Sequence, residues 1–490
     1  MSSPSETLAG LATVVSGRVT GDGGVIVTDV THDSRSAGPG VLFVAVRGMT
    51  RDGHDFVGDV AAAGCPAVVV DHPVDVDIVQ LVVPDTRATL GPLAAAVHGN
   101  PSARLRMVGI TGTNGKTSVT HMVDSIGRAA GLTTGVIGTI GVQVGDEAVP
   151  SERTTPEASD FQRLLAGMVA KGAELVACEV SSHALALGRV DATHFSVGAF
   201  TNLSQDHLDF HSDMEDYFAQ KAKLFDHCDL SVICLDDEWG RRLADMVTGP
   251  KLTVATTAPR SGRPGADIGV VIHSASMQGS SFDLILASGQ AIPVSLPIPG
   301  WFSIANAAVA AGCCLEMLGA DAVRTGLGSV PQIPGRFELV SGGDTVSVVV
   351  DYSHTPAAVE AAIATARPLT PGRIIAVIGA GGDRDTAKRP LMGAAASSAD
   401  LVVVTSDNPR SEPPAVIMEA VTAGVTAPCE SLIDRRQAIW RAIGVAEPGD
   451  TVLIMGKGHE PYQEIEGVRY PFDDRIVARE ALAAIRDEAP

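Results

Sequence analysis

The chain has few aromatic residues and lacks a basic net charge, a paired-cysteine pattern and a long apolar run. Only 4% of its 490 residues are Phe, Trp or Tyr, so its cores must be built mainly from Ala, Val, Leu and Ile. The net charge of -21 argues against a nucleic-acid partner, because a phosphate backbone would be repelled. Small anionic substrates need only a few local cations and remain compatible with this charge.

The seven cysteines are scattered and form no CxxC pair. This spacing is typical of reduced, buried thiols in a cytoplasmic protein and does not indicate disulfides or a zinc site. Residues 1–10 have neither a basic start nor an apolar core, which predicts no secretion signal. We find no apolar run of the length that spans a membrane. We therefore expect a cytoplasmic protein that has no membrane partner.

The length of 490 residues predicts about three domains. Residues 1–102 alternate short apolar strands with helical stretches, which predicts a small N-terminal α/β domain. Residues 103–333 predict a central domain with a doubly wound, mostly parallel sheet. Within it, residues 262–299 are rich in Ser, Gly and alternating apolar residues, which predicts an antiparallel insertion. The alternation returns in residues 334–490, which predicts a C-terminal, Rossmann-like α/β domain.

A glycine-rich turn between a predicted strand (105–110) and a predicted helix (118–130) is the most informative stretch. In such a P-loop, backbone N–H groups and the helix N-terminus bind phosphates, a lysine reaches the outer phosphates, and a Thr hydroxyl can bind Mg²⁺. The first glycine of the general pattern is replaced by Ile110. A turn that binds nothing is the much weaker alternative. The predicted ATP-binding residues here are Gly112, Thr113, Asn114, Gly115, Lys116, Thr117 and Ser118.

Three further polar residues follow strands or lie on a helix of the central domain. Glu179 ends a strand, where its carboxylate could bind Mg²⁺ or could be an ordinary strand end. His207 follows the strand at 196–200, and its neutral imidazole could bind a metal. Lys221 shares a helix face with Tyr217, and a lysine facing inward would need a partner or a lowered pKa. The spacing alone favours a solvated lysine.

Three polar loops follow predicted strands of the C-terminal domain, where ligands collect in open α/β sheets. Arginine forks bind carboxylates and a glutamate binds an ammonium, so the loops could bind a zwitterionic ligand. Turn chemistry is the alternative, but three such loops in one domain favour a binding site. The residues concerned are Arg384, Asp407, Asn408, Pro409, Arg410, Gly456 and Glu460.

Four motifs, in this order, resemble those of the Mur ligase family, the cytoplasmic enzymes that build the peptidoglycan stem peptide. They are the stretches 109–117, 179–183, 202–209 and 351–356, and the resemblance covers the chain from about 30 to 475. Within the family, the Asp407-Asn408-Pro409-Arg410 loop resembles that of members which add meso-diaminopimelate, since lysine-adding members lack the arginine. The resemblance implies an ATP-dependent, ADP-forming ligase of peptidoglycan precursor synthesis, and we expect a monomer.

The resemblance also implies roles for single residues. Lys116, Lys221 and His207 would be catalytic, and the lysine at 221 would be carbamylated. Magnesium would be held by Thr117, Glu179, His207 and Lys221. The nucleotide would further contact Asn306, Arg336 and Asp351. UDP-MurNAc-L-Ala-D-Glu would be bound by Ser34, the 48–51 loop, Thr154, Thr155, Ser181 and Arg189. The three C-terminal loops would hold meso-diaminopimelate.

The implied reaction joins the D-Glu γ-carboxylate to the amine of meso-diaminopimelate through an acyl phosphate, with ATP and Mg²⁺ as cofactors. Three alternatives remain open. A lysine-adding Mur ligase differs mainly at the loop that carries Arg410. A folylpolyglutamate synthase shares the ATPase core but does not explain the first hundred residues. A P-loop switch would leave the C-terminal Arg and Glu loops without a purpose.

Overall fold

The computed structural model describes residues 5–48, 51–149, 151, 153–256, 265–340 and 346–488. They form three α/β units, each built around its own main sheet. The predicted fold class is confirmed, while the boundaries at 102 and 333 stay predictions.

The N-terminal unit has a sheet in the order β2-β7-β6-β5-β4, parallel from β4 to β7 and antiparallel at β2. The strands β1 and β3 pair separately. Buried Val and Leu side chains fill its core, as the low aromatic content predicts. Its strands are β1 (Glu6–Thr7), β2 (Arg18–Thr20), β3 (Ile26–Val27), β4 (Asp29–Thr31), β5 (Val41–Val44), β6 (Ala67–Val70) and β7 (Val79–Val82), and its helices are α1 (Leu8–Val14), α2 (Val57–Ala62) and α3 (Thr86–Val97).

The central unit contains an 11-stranded sheet in the order β11-β10-β9-β12-β8-β13-β14-β15-β16-β17-β18. It is parallel from β9 to β16 and antiparallel at both edges. The strands are β8 (Arg106–Thr111), β9 (Thr134–Gly138), β10 (Gly141–Val144), β11 (Glu147–Val149), β12 (Leu175–Glu179), β13 (Phe195–Phe200), β14 (Cys228–Cys234), β15 (Lys251–Ala255), β16 (Ile268–Ser276), β17 (Gly279–Leu286) and β18 (Ala291–Leu296). The helices are α4 (Lys116–Ala129), α5 (Ala158–Ala170), α6 (Ser182–Ala186), α7 (Met214–Ala222), α8 (Glu238–Met246) and α9 (Trp301–Gly328).

The region predicted as an antiparallel insertion is antiparallel, but it is not a separate piece. The strands β17 and β18 continue the main sheet, and β16 joins it in parallel to β15. Their inward side chains, such as Phe282 and Val294, belong to the same apolar core as the P-loop helix α4. Sharing one core explains why this stretch does not fold apart.

The helix α9 corrects one sequence-based expectation. It has 28 residues and is long and apolar enough to cross a membrane by length and composition alone. Gly319 breaks its helical backbone with φ 81° and ψ 169°. Its residues Ala307 and Cys314 are buried in the central core, and Gly326 packs directly on the backbone of Ile126. The helix therefore serves as a core helix of this unit.

The C-terminal unit has a sheet in the order β19-β20-β24-β21-β22-β23, in which β20 to β23 run parallel and β19 is antiparallel. A separate hairpin, β25–β26, lies beside it. The strands are β19 (Glu338–Leu339), β20 (Ser347–Asp351), β21 (Ile374–Ile378), β22 (Leu401–Thr405), β23 (Cys429–Leu432), β24 (Thr451–Met455), β25 (Tyr462–Ile465) and β26 (Val468–Pro471), and the helices are α10 (Pro356–Ala366), α11 (Lys388–Ala396), α12 (Pro414–Thr422), α13 (Arg435–Gly444) and α14 (Asp474–Glu488). Three neighbouring strands, β24, β21 and β22, end at the three predicted ligand loops.

Candidate active site

The glycine-rich turn connects β8 to α4 as predicted, with the helix beginning at Lys116. Gly112 (φ 147°) and Gly115 (φ 88°) have backbone angles that favour glycine. A Cβ at Gly112 would collide with Oγ1 of Thr201, and one at Gly115 with the amide of Asn306. The turn is braced from β13, because Thr113 N donates to the carbonyl of Asn202 at 2.8 Å. Asn306 of α9 thus lies beside the phosphate-binding turn.

Lys116, the lysine of the phosphate-binding turn, is half-buried. Its Nζ donates to the carbonyls of Gly112 and Thr113 at 2.8 and 2.9 Å, within its own loop. Burial lowers the pKa of this lysine, although the Glu179 carboxylate opposes the shift. The ammonium is therefore already aligned along the loop that would surround a phosphate chain.

Next to it, a hydroxyl, a carboxylate and a guanidinium meet. Thr117 Oγ1 donates to Glu179 Oε1 at 3.0 Å, and Arg336 Nη2 donates to Thr117 Oγ1 at 3.0 Å. Thr139 binds the same carboxylate through its backbone N–H at 2.8 Å and through its hydroxyl at 3.1 Å. Glu179 is only 1% exposed, so the interpretation of this residue as an ordinary surface strand end is wrong.

Lys221 is 1% exposed, so the solvated lysine favoured by spacing alone is wrong. Its Nζ donates to the carbonyl of Gly112 at 2.8 Å and lies 4.5 Å from the ring centre of Tyr217. Burial lowers the pKa of Lys221 well below its usual value, and the positive charge of Lys116 adds to the effect. The next lysine along the chain, Lys223, is exposed.

His207 adopts the left-handed backbone conformation (φ 54°) at the start of a cluster of rings. Its ring lies 4.9 Å from that of His183, and its Nε2 lies 3.4 Å from a carboxylate oxygen of Asp206. Burial lowers the pKa of His207, which favours the neutral imidazole that can bind a metal. Among the contacts described for His207, none reaches Thr117 or Glu179, so its joint metal role with them stays a prediction.

Four of the residues predicted for the UDP-sugar dipeptide meet in the central unit. Thr155 Oγ1 donates to the carbonyl of Glu179 at 2.8 Å, and Thr154 Oγ1 lies 3.0 Å from that of Thr139. Ser181 N donates to Thr155 Oγ1 at 3.2 Å, and Arg189 donates to the Thr155 carbonyl at 3.1 Å. Ser34 lies apart, in a turn after β4 of the N-terminal unit. Part of the predicted 48–51 loop, residues 49 and 50, lies outside the described residues.

The three C-terminal loops come together as predicted. Asn408 Nδ2 donates to Glu460 Oε2 at 2.7 Å, and Arg410 Nη1 donates to the carbonyl of Gly382 at 2.6 Å. A Cβ at Gly456 (φ 114°) would collide with the carboxylate of Asp407. Arg384, on the third loop, has only a weak contact of 3.4 Å with the carbonyl of its neighbour Asp383 among those described.

The carboxylate of Asp351 binds the backbone of its own unit. It accepts the backbone N–H groups of Phe337 at 2.7 Å and Ser353 at 2.8 Å. These bonds fix the chain beside Arg336, whose guanidinium lies 4.5 Å from the ring centre of Tyr352. The predicted contact of Asp351 with the nucleotide stays a prediction.

A cleft with a volume of about 880 Å³ lies between the central and C-terminal units. Its walls include the His183–His207 cluster on one side and the three C-terminal loops on the other. Most of the predicted C-terminal residues line it, together with Asp206. The lining residues predicted from the sequence are His207, Arg384, Asp407, Asn408, Arg410, Gly456 and Glu460.

Comparison with known proteins decides the family. Three family descriptions match: "Mur ligase family, catalytic domain" over residues 26–104, "Mur ligase middle domain" over 110–314, and "Mur ligase, glutamate ligase domain" over 335–458. A curated relative from Streptomyces coelicolor is 45% identical over 478 residues, which are 94% of this chain and 93% of the relative. That relative is named UDP-N-acetylmuramoyl-L-alanyl-D-glutamate--2,6-diaminopimelate ligase.

The chain belongs to the Mur ligase family. A solved structure of a UDP-N-acetylmuramoyl-L-alanyl-D-glutamate--2,6-diaminopimelate ligase has a TM-score of 0.71 at 30% identity, and covers 98% of this chain and 99% of its own. The MurF ligase of Thermotoga maritima, solved with ADP, has the same fold, with a TM-score of 0.63 at 20% identity over 93% of this chain and 96% of its own. The predicted family, fold class and ligase activity are confirmed.

Several residues of this Mur ligase site were not predicted. Lys388, Glu464 and Arg469 line the cleft, and Lys457 lies fully buried beneath it. Thr139 follows strand β9, so its position after a strand was a usable signal. Lys457 was visible inside the 456–460 loop, but a lysine between two glycines gives no sign of burial. The hairpin that brings Glu464 and Arg469 to the cleft depends on long-range packing and left no local pattern.

Proposed function

We propose that this Mur ligase adds meso-diaminopimelate to the D-Glu γ-carboxylate of UDP-MurNAc-L-Ala-D-Glu at the expense of ATP, in the cytoplasm, during peptidoglycan precursor synthesis. The observation that carries the proposal is the cleft between the P-loop unit and the three C-terminal loops. It brings Arg410, Asn408 and Glu460 opposite the His207 cluster. The names of the relatives agree with this substrate pair.

The charge distribution of the C-terminal loops supports a zwitterionic amino acid as substrate. A guanidinium can form two parallel bonds to a carboxylate, and a carboxylate can bind an ammonium. Arg410 and Glu460 provide one of each on the same cleft wall. Burial and the nearby Asp407 raise the pKa of Glu460, and a bound ammonium group would oppose that shift because it favours the ionised carboxylate.

The reaction uses the residues of the P-loop for positioning and charge. The D-Glu carboxylate attacks the γ-phosphorus of ATP, which releases ADP and leaves an acyl phosphate. The diaminopimelate amine then attacks the acyl carbon, and phosphate departs. Lys116, already aligned along the loop, would exchange its two carbonyl acceptors for phosphate oxygens. Because the substrates bind to different units, the cleft must close before they can react.

The donor set fits a Mg²⁺ ion. Thr117 Oγ1 and the Glu179 carboxylate lie 3.0 Å apart, and both are hard oxygen ligands of the kind that Mg²⁺ prefers. Bound Mg²⁺ would offset negative charge on the phosphates. A Lys221 ammonium does not fit as a ligand, whereas a carbamate on that nitrogen would supply an anionic oxygen. We therefore propose carbamylation of Lys221, which its lowered pKa and burial support.

The proposal is tested by measuring phosphate release from ATP with UDP-MurNAc-L-Ala-D-Glu and a panel of amino acids. We expect release to need both the UDP-dipeptide and meso-diaminopimelate. Release without an amino acid would favour a P-loop switch. Equal use of lysine would favour a lysine-adding ligase, and turnover with a folate and glutamate would favour a folylpolyglutamate synthase. The Lys116→Ala variant should lose about a hundredfold or more in kcat while its circular dichroism spectrum is unchanged.

A further inference from the structure

Lys457 is an unusual lysine because its side chain is fully buried, with 0% exposure, between two glycines of the 456–460 loop. Burying an ammonium is costly unless its protons are all bound. Here each of the three finds an acceptor: Asn408 Oδ1 at 3.1 Å, Glu460 Oε2 at 3.3 Å and the carbonyl of Tyr462 at 2.5 Å. Lys457 thus connects two ligand loops and the hairpin β25–β26.

These bonds fix which way the Asn408 amide faces. Its oxygen accepts from Lys457 and from the backbone N–H of Glu464 at 2.9 Å, and both partners can only donate. Its nitrogen donates to Glu460 at 2.7 Å. If the Asn408 amide were rotated by 180°, its NH₂ group would face the Lys457 ammonium, and two donors would meet. The second N–H of Asn408 is therefore the group left for a ligand in the cleft.

The Lys457 ammonium also affects the ionisation of the Glu460 carboxylate. Burial and Asp407 raise the pKa of Glu460, whereas Lys457 and the bond from Asn408 lower it. A carboxylate that binds an ammonium must be ionised. Because Lys457 lowers the pKa of Glu460, it widens the pH range in which Glu460 is ionised and can bind the substrate ammonium. Apart from Lys457, the titratable groups that interact electrostatically with Glu460 are Asp407, Tyr352 and Arg435. The other titratable or charged groups that line the same cleft are His183, Asp206, His207, Asp209, His354, Glu360, Arg384, Asp385, Lys388, Arg410, Glu464 and Arg469.

We infer that Lys457 is a positioning residue for the amino-acid substrate: it presents the Asn408 N–H and the Glu460 carboxylate to the cleft while touching neither substrate nor nucleotide itself. The inference rests on the proposed function, because it takes the cleft loops as the amino-acid site. It assigns the buried lysine a role in selecting and orienting a zwitterion.

The first test is the Lys457→Met variant, which keeps an unbranched apolar stem and removes the terminal ammonium with its charge and donors. The KM for meso-diaminopimelate should rise about tenfold or more, the equivalent of one or more lost buried hydrogen bonds, while the KM for ATP is unchanged. The matched control is Lys251→Met. Lys251 also donates to backbone carbonyls, those of Ala244 and Val247, but it lies in the central unit away from the cleft, so its loss should leave both KM values as in wild type.

The pH profile separates positioning from a general loss of structure. Without Lys457 the pKa of Glu460 should rise, so the acidic limb of kcat/KM for meso-diaminopimelate should move to higher pH. The acidic limb for ATP should not move. An unchanged KM for the amino acid together with an unchanged acidic limb in folded Lys457→Met would overturn the inference.

A second variant keeps the test decisive if Lys457→Met does not fold. Asn408→Asp has nearly the same shape, but its second oxygen would face Glu460 and the substrate carboxylate. It should therefore use meso-diaminopimelate less well than Asn408→Ala does. The reverse order would show that the amide oxygen faces the ligand, which contradicts the inference. Wild-type turnover with meso-diaminopimelate tests the proposed function separately, because only the comparison between variants bears on Lys457.

Discussion

At the scale of single residues, Lys221 shows how burial changes the chemistry of a side chain. Its ammonium shares the carbonyl of Gly112 with Lys116, so two cations compete for one acceptor. Both burial and Lys116 lower the pKa of Lys221, which increases the fraction of neutral amine at neutral pH. A neutral amine is the form that reacts with carbon dioxide. A carbamate on Lys221 carries a negative charge, so it would replace the repulsion between Lys221 and Lys116 with attraction.

Replacing Lys221 with Ala should therefore abolish most activity, and added short-chain carboxylates should restore part of it. A small acid can occupy the space of the lost side chain and supply an anionic oxygen near Mg²⁺. Phosphate release with and without the added acid measures the effect. The exposed Lys223 is the matched control, and Lys223→Ala should retain activity. A normal Lys221→Ala with an inactive Lys223→Ala would place the functional lysine at 223.

Arg410 carries the predicted choice between meso-diaminopimelate and lysine, which differ by one carboxylate at the distal end. With lysine as substrate, the Arg410 guanidinium and the neighbouring Asn408 amide would lack the distal carboxylate as a partner. A site that requires such a polar partner can reject the analogue without it by about four orders of magnitude. Arg410→Ala should lose most kcat/KM for meso-diaminopimelate and most of the discrimination, with ATP binding intact. The control is Arg436→Ala, whose partner is Glu480 on α14. Discrimination that survives in Arg410→Ala would contradict the assignment.

At the scale of elements, the phosphate-binding turn depends on close approach between β8, α4 and β13. Thr201 Oγ1 donates to the carbonyl of Asn114 at 2.6 Å and fills the space beside Gly112. Any side chain at 112 would have to displace this hydroxyl. At the other end of α4, Gly131 also has a positive φ, of 80°, but a Cβ there would meet nothing within 4 Å.

These two glycines make a matched pair of variants. Gly131→Ala should cost about 1–2 kcal/mol of unfolding free energy, the usual cost of an alanine in the left-handed region, and should keep activity. Gly112→Ala adds a steric collision to the same backbone cost, so it should unfold at a lower temperature and lose phosphate release. Thermal melts and the phosphate assay on both variants measure this. Equal behaviour of the two would mean that the approach of Thr201 is unimportant.

The elements also show what could be predicted from the sequence. Polar residues at strand ends, such as Glu179 and Asp407, were predictable because the carboxyl ends of parallel strands meet at one edge. The burial of Lys221 and Lys457 was not, because a lysine has the same local pattern whether it faces solvent or a packed loop. The hairpin β25–β26 was missed for a related reason. It pairs with the main C-terminal unit through long-range contacts, such as the N–H of Arg410 with the carbonyl of Glu464 at 3.0 Å.

At the scale of the whole molecule, charged side chains cross the borders between the units. Arg163 of α5 binds Asp29 of β4 at 2.9 Å and the carbonyl of Val30 at 3.0 Å. Arg336, on the chain that leads into the C-terminal unit, reaches the P-loop hydroxyl of Thr117 at 3.0 Å. No local pattern predicts these pairs, because Asp29 and Arg163 are separated by 134 positions. These two sets of bonds join the N-terminal and the C-terminal unit, respectively, to the central unit.

The ion pair between Asp29 and Arg163 should therefore stabilise the contact between the N-terminal and central units in a pH-dependent way. Burial alone would raise the pKa of Asp29, but hydrogen bonds from His98 and Arg163 lower it from 3.8 to about 2. Because the folded-state pKa is the lower one, the stabilisation is present above about pH 4 and is lost as the pH falls toward 2. Since the side chains of Asp29 and Arg163 are both partly exposed, solvent screening reduces the expected stabilisation by this ion pair to about 1 kcal/mol.

Asp29→Asn should lower the melting temperature at pH 7, and its difference from wild type should shrink steadily as the pH is lowered from 5 toward 2, because protonation removes the same charge from the wild type. Calorimetric scans across this pH range measure both effects. Glu480→Gln is the control, since it removes one carboxylate from an exposed pair within the C-terminal unit and should change stability by no more than about 0.5 kcal/mol. A difference for Asp29→Asn that is no larger than that of the control, or that persists at low pH, would show that this ion pair does not hold the N-terminal unit against the central one.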